Sequence, residues 1–274
     1  MPADDSVYRE LLLTPIRKCA DYLPKMGYQD EVDVDGFTAM YGSDPLYHWV
    51  GLDSPMMFAA HKAAGGMTSV YRQLGIGCER VFRQILRDGF GLDAEQVQWA
   101  YEVVDISDDE ADEPPSGKPK KPRKLTLDGR VELADVADPA AAGRMKDWIE
   151  GQKKALNITA DLKGAVFEVR QGYKSADSKR QNADLSNAAQ GYGHGFLPSL
   201  IIMSTQINYA VRQRYEVGNL PVLTGVLGLN DPLKSTFDFS RDVIGYDLAG
   251  FFERNSRALR TEVEGILKSL LEPK

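Results

Sequence analysis

The stretch FLPSLIIMST, residues 196–205, constrains this chain more than any other part of it. Its apolar residues fall at positions of both parities, so it has no face to give to water. A short run of this kind reads as a strand inside a sheet that helices cover on both sides. Such a strand needs neighbours, and the preceding residues offer them. KLTLDGRVELADV (124–136) reads as two strands joined at Asp128-Gly129, and NITADLKGAVFEVRQG (157–172) as a second hairpin turning at Lys163-Gly164. Residues 99–106 and LPVLTGVLG (220–228) are strand-like as well.

Helical spacing supplies the covering layers. Apolar residues Val70, Leu74, Val81, Ile85 and Leu86 recur at three and four residues within 55–89, and residues 5–23 repeat the pattern. A helix is expected over 140–155, opening at Asp138-Pro139, where the missing N–H of proline costs nothing. KSADSKRQNADLSNAAQGYG (174–193) is a further helix starting at Ser175 or Asp177, and 237–251 and 255–271 are two more. The expected fold class is α/β: a mixed sheet flanked by helices, with helical N- and C-terminal parts.

A single domain over 1–274 is expected, with a mainly helical part at 1–98, a sheet core at 124–236 and C-terminal helices at 237–274. Residues 107–123, SDDEADEPPSGKPKKPR, have nothing to anchor in a core and read as a mobile insertion. Its basic end, Lys118 to Lys124, is either a solvated loop or a finger that touches a DNA backbone.

Composition narrows the function classes. A net charge of -7, from 33 Lys and Arg against 40 Asp and Glu, argues against a protein that coats nucleic acid indiscriminately. It leaves room for an enzyme that gathers carboxylates around metal ions. Cys19 and Cys78 form no metal-ligand or disulfide spacing, no apolar run reaches the ~20 residues of a membrane span, and the N-terminus lacks a secretory pattern. A cytoplasmic location is expected. No strand–loop–helix phosphate cradle is present, and His48, His61 and His194 show no ligand spacing.

The chemistry concentrates between Asp161 and Lys179. With the turn at Lys163-Gly164, Asp161 lies opposite Val166, and period-two alternation puts Glu168 and Arg170 on that same face. Phe167 and Val169 then face the core. Two converging carboxylates on a central strand are costly unless paired or metal-bound, and hard oxygen donors in a pair suit Mg²⁺. An exposed cross-strand ion pair is the plainer alternative.

Asp161-x6-Glu168-x-Arg170 resembles the signature of the PD-(D/E)XK nuclease superfamily, with a short spacing similar to that of mismatch-repair nicking endonucleases. The order of elements around it is similar to that of type II restriction endonucleases, so the sheet is expected to be a restriction-endonuclease-like core. The resemblance implies sequence-specific, Mg²⁺-dependent cleavage of double-stranded DNA by a homodimer, with a cognate DNA methyltransferase in the same cell. It assigns Asp161 and Glu168 as metal ligands, and Glu79 on an early helix as a third. Arg170 stands where the family has lysine. Arginine does not release a proton at neutral pH, so Lys174 or Lys179 is expected to approach the attacking water while Arg170 stabilises charge.

Lys174, Lys179, Arg180, Gln181 and Asn182 follow the acidic strand and are the candidate DNA-binding residues, being side chains that meet phosphates and base edges. Residues 107–123 and 217–234 are further candidate contact loops. The rival reading is a non-catalytic DNA-binding or interaction protein whose acidic cluster is structural; a nicking or repair nuclease is the nearest variant.

Overall fold

The computed structural model describes residues 4–103, 123–173 and 178–273. The chain is mixed α/β and divides into two compact units, each taken here on its own. The first comprises residues 1–84, 170–172 and 247–274, and the second 85–169 and 173–246.

The first unit is helical. Helix α1 (Asp5–Arg17) opens on Asp4, whose carboxylate accepts from the Ser6 N–H. It buries Tyr8, Leu12, Leu13 and Ile16. Tyr8 meets Phe251 edge-on, with ring centroids 6.0 Å apart. Phe251 stands near the start of α9 (Leu248–Leu271), the helix expected from 255; α9 is capped by Asp247. Two short helices, α2 (Val34–Gly42) and α3 (Pro45–Trp49), were not evident in the sequence, because each is too short for a periodic stripe. Both are set by aspartate caps, Asp33 on the Gly36 N–H and Asp44 on the N–H groups of Leu46 and Tyr47. Most of the long helix α4 (Pro55–Phe90) lies here, ending within a residue of the sequence expectation. Gly77 is a packing glycine: a β-carbon there would run into the backbone of Leu12 on α1.

The second unit carries the sheets. Strands β1 (Trp99–Val103) and β2 (Arg123–Leu127) pair antiparallel in a two-stranded ribbon, Trp99 opposite Leu127. The four-stranded sheet runs β3 (Gly129–Glu132), β4 (Gly164–Arg170), β5 (Phe196–Ile202), β6 (Val222–Leu223). Strands β3 and β4 are antiparallel, and β5 and β6 parallel. All seven residues of β5 are buried, as its two-sided apolar pattern requires.

Two hairpins read from the sequence are corrected. Asp128-Gly129 is not a hairpin turn, because β2 pairs with β1 and β3 with β4. Gly129 serves close packing instead: a β-carbon there would press on Leu86 of α4. Nor does the chain turn back at Lys163-Gly164. Strand β4 has β3 on one edge and β5 on the other, so no edge is left for residues 157–162 to pair with. They form the connection from α5 (Pro139–Leu156), which opens on Asp138 as expected and closes on Asn157 in the left-handed region at φ 56°.

One face of the sheet rests on α5 and on α8 (Thr236–Phe239), where Trp148, Phe167 and Phe239 form an aromatic triangle with centroid distances of 4.6 to 6.1 Å. The single helix expected over 237–251 is broken. After α8 comes a π-helical turn, Ser240–Ile244, and Gly245 at φ 90° ends it. The other face carries α6 (Ser178–Gly193) and α7 (Tyr209–Val217), which close over Leu200, Ile202, Val211, Tyr215 and Leu220.

Candidate active site

Strand β4 alternates as its sequence implies. Ala165, Phe167 and Val169 are fully buried, and Phe167 faces the aromatic triangle. Val166 and Glu168 line a small space closed by Asp184, Asn187 and Ala188 of α6 together with Pro198 and Leu200 of β5. That space measures about 10 Å³, near the minimum for one water, so it holds no substrate. Glu168 itself is half-buried.

Asp128 stands in a bend just before β3, whose first residue, Gly129, is partnered with Phe167. Two bonds fix the place: the Asp128 N–H donates to the Phe167 carbonyl at 2.9 Å, and the Val169 N–H donates to Asp128 Oδ2 at 2.8 Å. A side-chain oxygen thus stands where the ladder would otherwise supply a carbonyl. The Asp128 carboxylate is thus held against the β4 backbone at the residue after Glu168.

The surroundings of Glu168 are polar and ordered. Tyr101 on β1 donates to Asn187 Oδ1 at 2.6 Å, and its phenol is pushed up, first by burial and then by the nearby negative charge of Glu168. One turn earlier on α6, buried Asp184 accepts from Tyr173 and Tyr215 at 3.1 and 2.7 Å, and the two hydroxyl oxygens lie 2.7 Å apart. Burial and those bonds raise the Tyr215 phenol well above its ordinary range, keeping it a neutral donor.

The residues expected from the sequence divide as follows. Asp161 is exposed in the loop before β4 and is not opposite Val166, whose partner is Arg130. Arg170 closes β4, two residues beyond Glu168. Glu79 is half-buried on α4 in the first unit, where its charge helps burial push the Cys78 thiol up to about 12. Lys179, Arg180 and Asn182 lie on the exposed side of α6. Gln181 does not: it is buried, and its amide oxygen accepts from Arg214 of α7 at 3.0 Å, so it ties two helices together and is removed from the DNA-contact set. Arg214 also reaches Asn182. Lys174 and residues 107–122 lie outside the described residues, as does the basic stretch up to Pro122.

Asp128, Asp184, Asn187 and Arg214 were not singled out from the sequence. For Asp128 the available signal was misread, since Asp-Gly is a hairpin dipeptide. For Asp184 and Asn187 only the helical phase of α6 relative to β4 could have found them.

Among the described residues, no group of three or more His, Cys, Asp and Glu side chains is arranged to hold a metal ion. Asp128 and Glu168 are hard oxygen donors by type, and an ion such as magnesium takes one or two protein carboxylates and completes its shell with water and substrate phosphate. No helix among the described residues is long and apolar enough to cross a membrane. No family model, curated protein or solved structure matches the chain.

Proposed function

We propose that this chain is a Mg²⁺-dependent endonuclease of double-stranded DNA with a restriction-endonuclease-like sheet, acting as a homodimer beside a cognate methyltransferase. The observation that carries the reading is the bond that ties the Asp128 carboxylate to the Val169 N–H, next to Glu168 on β4. In this assignment Asp128 takes the part expected of Asp161, with Asp128 just before β3 and Glu168 on β4.

Asp128 and Glu168 would hold the ion, which would supply charge neutralisation at the scissile phosphate and a more acidic water. Asp128 is kept in place by the Val169 N–H, so its carboxylate needs little reorganisation when the ion arrives. Arg170, always cationic, stabilises negative charge on the phosphate and does not act as a base. Lys179 and Arg180, on the exposed side of α6, and Arg214 of α7 contact the DNA backbone.

The decisive experiment is digestion of plasmid and unmethylated phage DNA with Mg²⁺, beside EDTA and the Glu168→Ala protein. Discrete fragments that need both the metal and Glu168 are expected. Intact DNA across several substrates, together with metal-independent DNA binding, would replace this reading with a binding module.

A further inference from the structure

The first unit has a surface unlike any used above. Between Met26 and His61 the chain carries six carboxylates, Asp30, Glu31, Asp33, Asp35, Asp44 and Asp53, and no lysine or arginine. A groove of about 550 Å³ opens here, with Leu23, Tyr28, Val32 and Met40 as apolar lining and Glu31 and Asp33 as acidic members. Its size falls within the roughly 300–1,000 Å³ of ordinary ligand sites. Helix α2, which contributes Met40, packs on α3 through stacked Tyr41 and Tyr47, centroids 4.7 Å apart. On α3 and just beyond it, Leu46, Trp49 and Val50 sit at i, i+3 and i+4, so they form one stripe. All three are exposed, Trp49 by 80%. Met56, where α4 begins, is exposed by 81%.

Single exposed apolar residues need no explanation, but an apolar stripe on α3 and a part-acidic groove on the α2 helix stacked against it do. We propose that this α2–α3 corner docks a short segment of another protein that presents lysine or arginine beside apolar side chains. The apolar residues enter the groove and cover Trp49, and the cations meet the carboxylates. DNA and anionic membranes are disfavoured by like charge. A second copy of the chain is disfavoured too, because a two-fold interface would set this acidic patch against itself. Negative charge around an apolar floor selects a cationic partner and speeds its arrival.

Trp49 is a built-in reporter, since the other two tryptophans, Trp99 and Trp148, are 7% and 3% exposed. The probe is a tryptophan-free amphipathic peptide of leucine and lysine, with its leucine–glutamate counterpart as control. Saturable protection of Trp49 from acrylamide quenching by the leucine–lysine peptide is expected, weakened about tenfold in an Asp30→Lys, Glu31→Lys protein and reduced by salt. Leu46→Lys, at an exposed position, is a second variant expected to lose the protection while circular dichroism stays unchanged. Equal protection by the leucine–glutamate peptide, or none by either, overturns the proposal. So does shielding of Trp49 by anionic vesicles, or shielding without peptide that rises with protein concentration alongside a dimer in light scattering.

Discussion

The two faces of the four-stranded sheet are packed by different chemistry. Toward α5 and α8 the contact is aromatic, with Phe167 against Trp148 and Phe239. Toward α6 and α7 the sheet meets Glu168, Asp184 and a pair of tyrosine hydroxyls. The first face gains from area removed from water, without regard to direction. The second depends on bonds of fixed geometry, in which each buried polar group must find its partner. Apolar packing holds both sides of β4 while the polar groups gather on one, and neighbouring residues of one strand, Phe167 and Glu168, serve different ends.

Substitutions on the two faces should therefore separate folding from activity. Phe167→Ala is expected to cost about 3–5 kcal/mol in denaturant unfolding, as large-to-small changes in aromatic cores do; a cost under about 1 kcal/mol would mean that the aromatic face is not the stable one. Glu168→Gln is expected to lower DNA cleavage by about 10²–10³-fold, the usual range for removing one electrostatic partner of a reaction, with the thermal midpoint near that of the parent. A matched Asp161→Asn protein should keep most of its cleavage, because Asp161 is exposed in the loop. Retained activity in Glu168→Gln, or a lost fold, would erase the contrast between faces. Asp184→Ala leaves two buried tyrosine hydroxyls without their acceptor and should cost about 1–3 kcal/mol, measured by the same unfolding titration.

The smallest effect lies away from the sheet and calibrates the others. The Arg17 guanidinium bonds Glu10 and Glu262 and holds both carboxyls below their ordinary value of 4.5. A carboxylate lowered by folding stabilises the protein above its unfolded pKa, and that contribution fades as pH falls through the folded value. The thermal midpoint should thus drop on acidification below about 4.5, and Arg17→Ala should flatten that part of the curve. These side chains are well exposed, so the change is small.

What could be read from the sequence was what one element reports by itself. Helix α4 announced both ends through its apolar stripe, α5 its start through Asp138-Pro139, and β5 its burial through the lack of any polar face. Pairing was less legible, because it depends on which strand competes for which edge. Gly164 is an example: it looks like a turn glycine, yet a β-carbon there would strike the backbone of Val131 on β3, so it is a glycine of close strand approach. The candidate site followed the same rule. Glu168 was found from the alternation within β4, whereas Asp128 is forty residues away in the chain and reaches β4 only through its carboxylate on the Val169 N–H.

The carboxylate of Asp128 also does the work of a main-chain group, taking the Val169 N–H just where the chain leaves the β1–β2 ribbon for the larger sheet. Position 128 is therefore a splice between two sheets as well as half of a candidate ion site. Drift there is restrained twice over, and an inactive Asp128 variant cannot by itself distinguish lost chemistry from a lost seam. The matching test at Glu168, on β4 itself, is therefore needed beside any Asp128 variant.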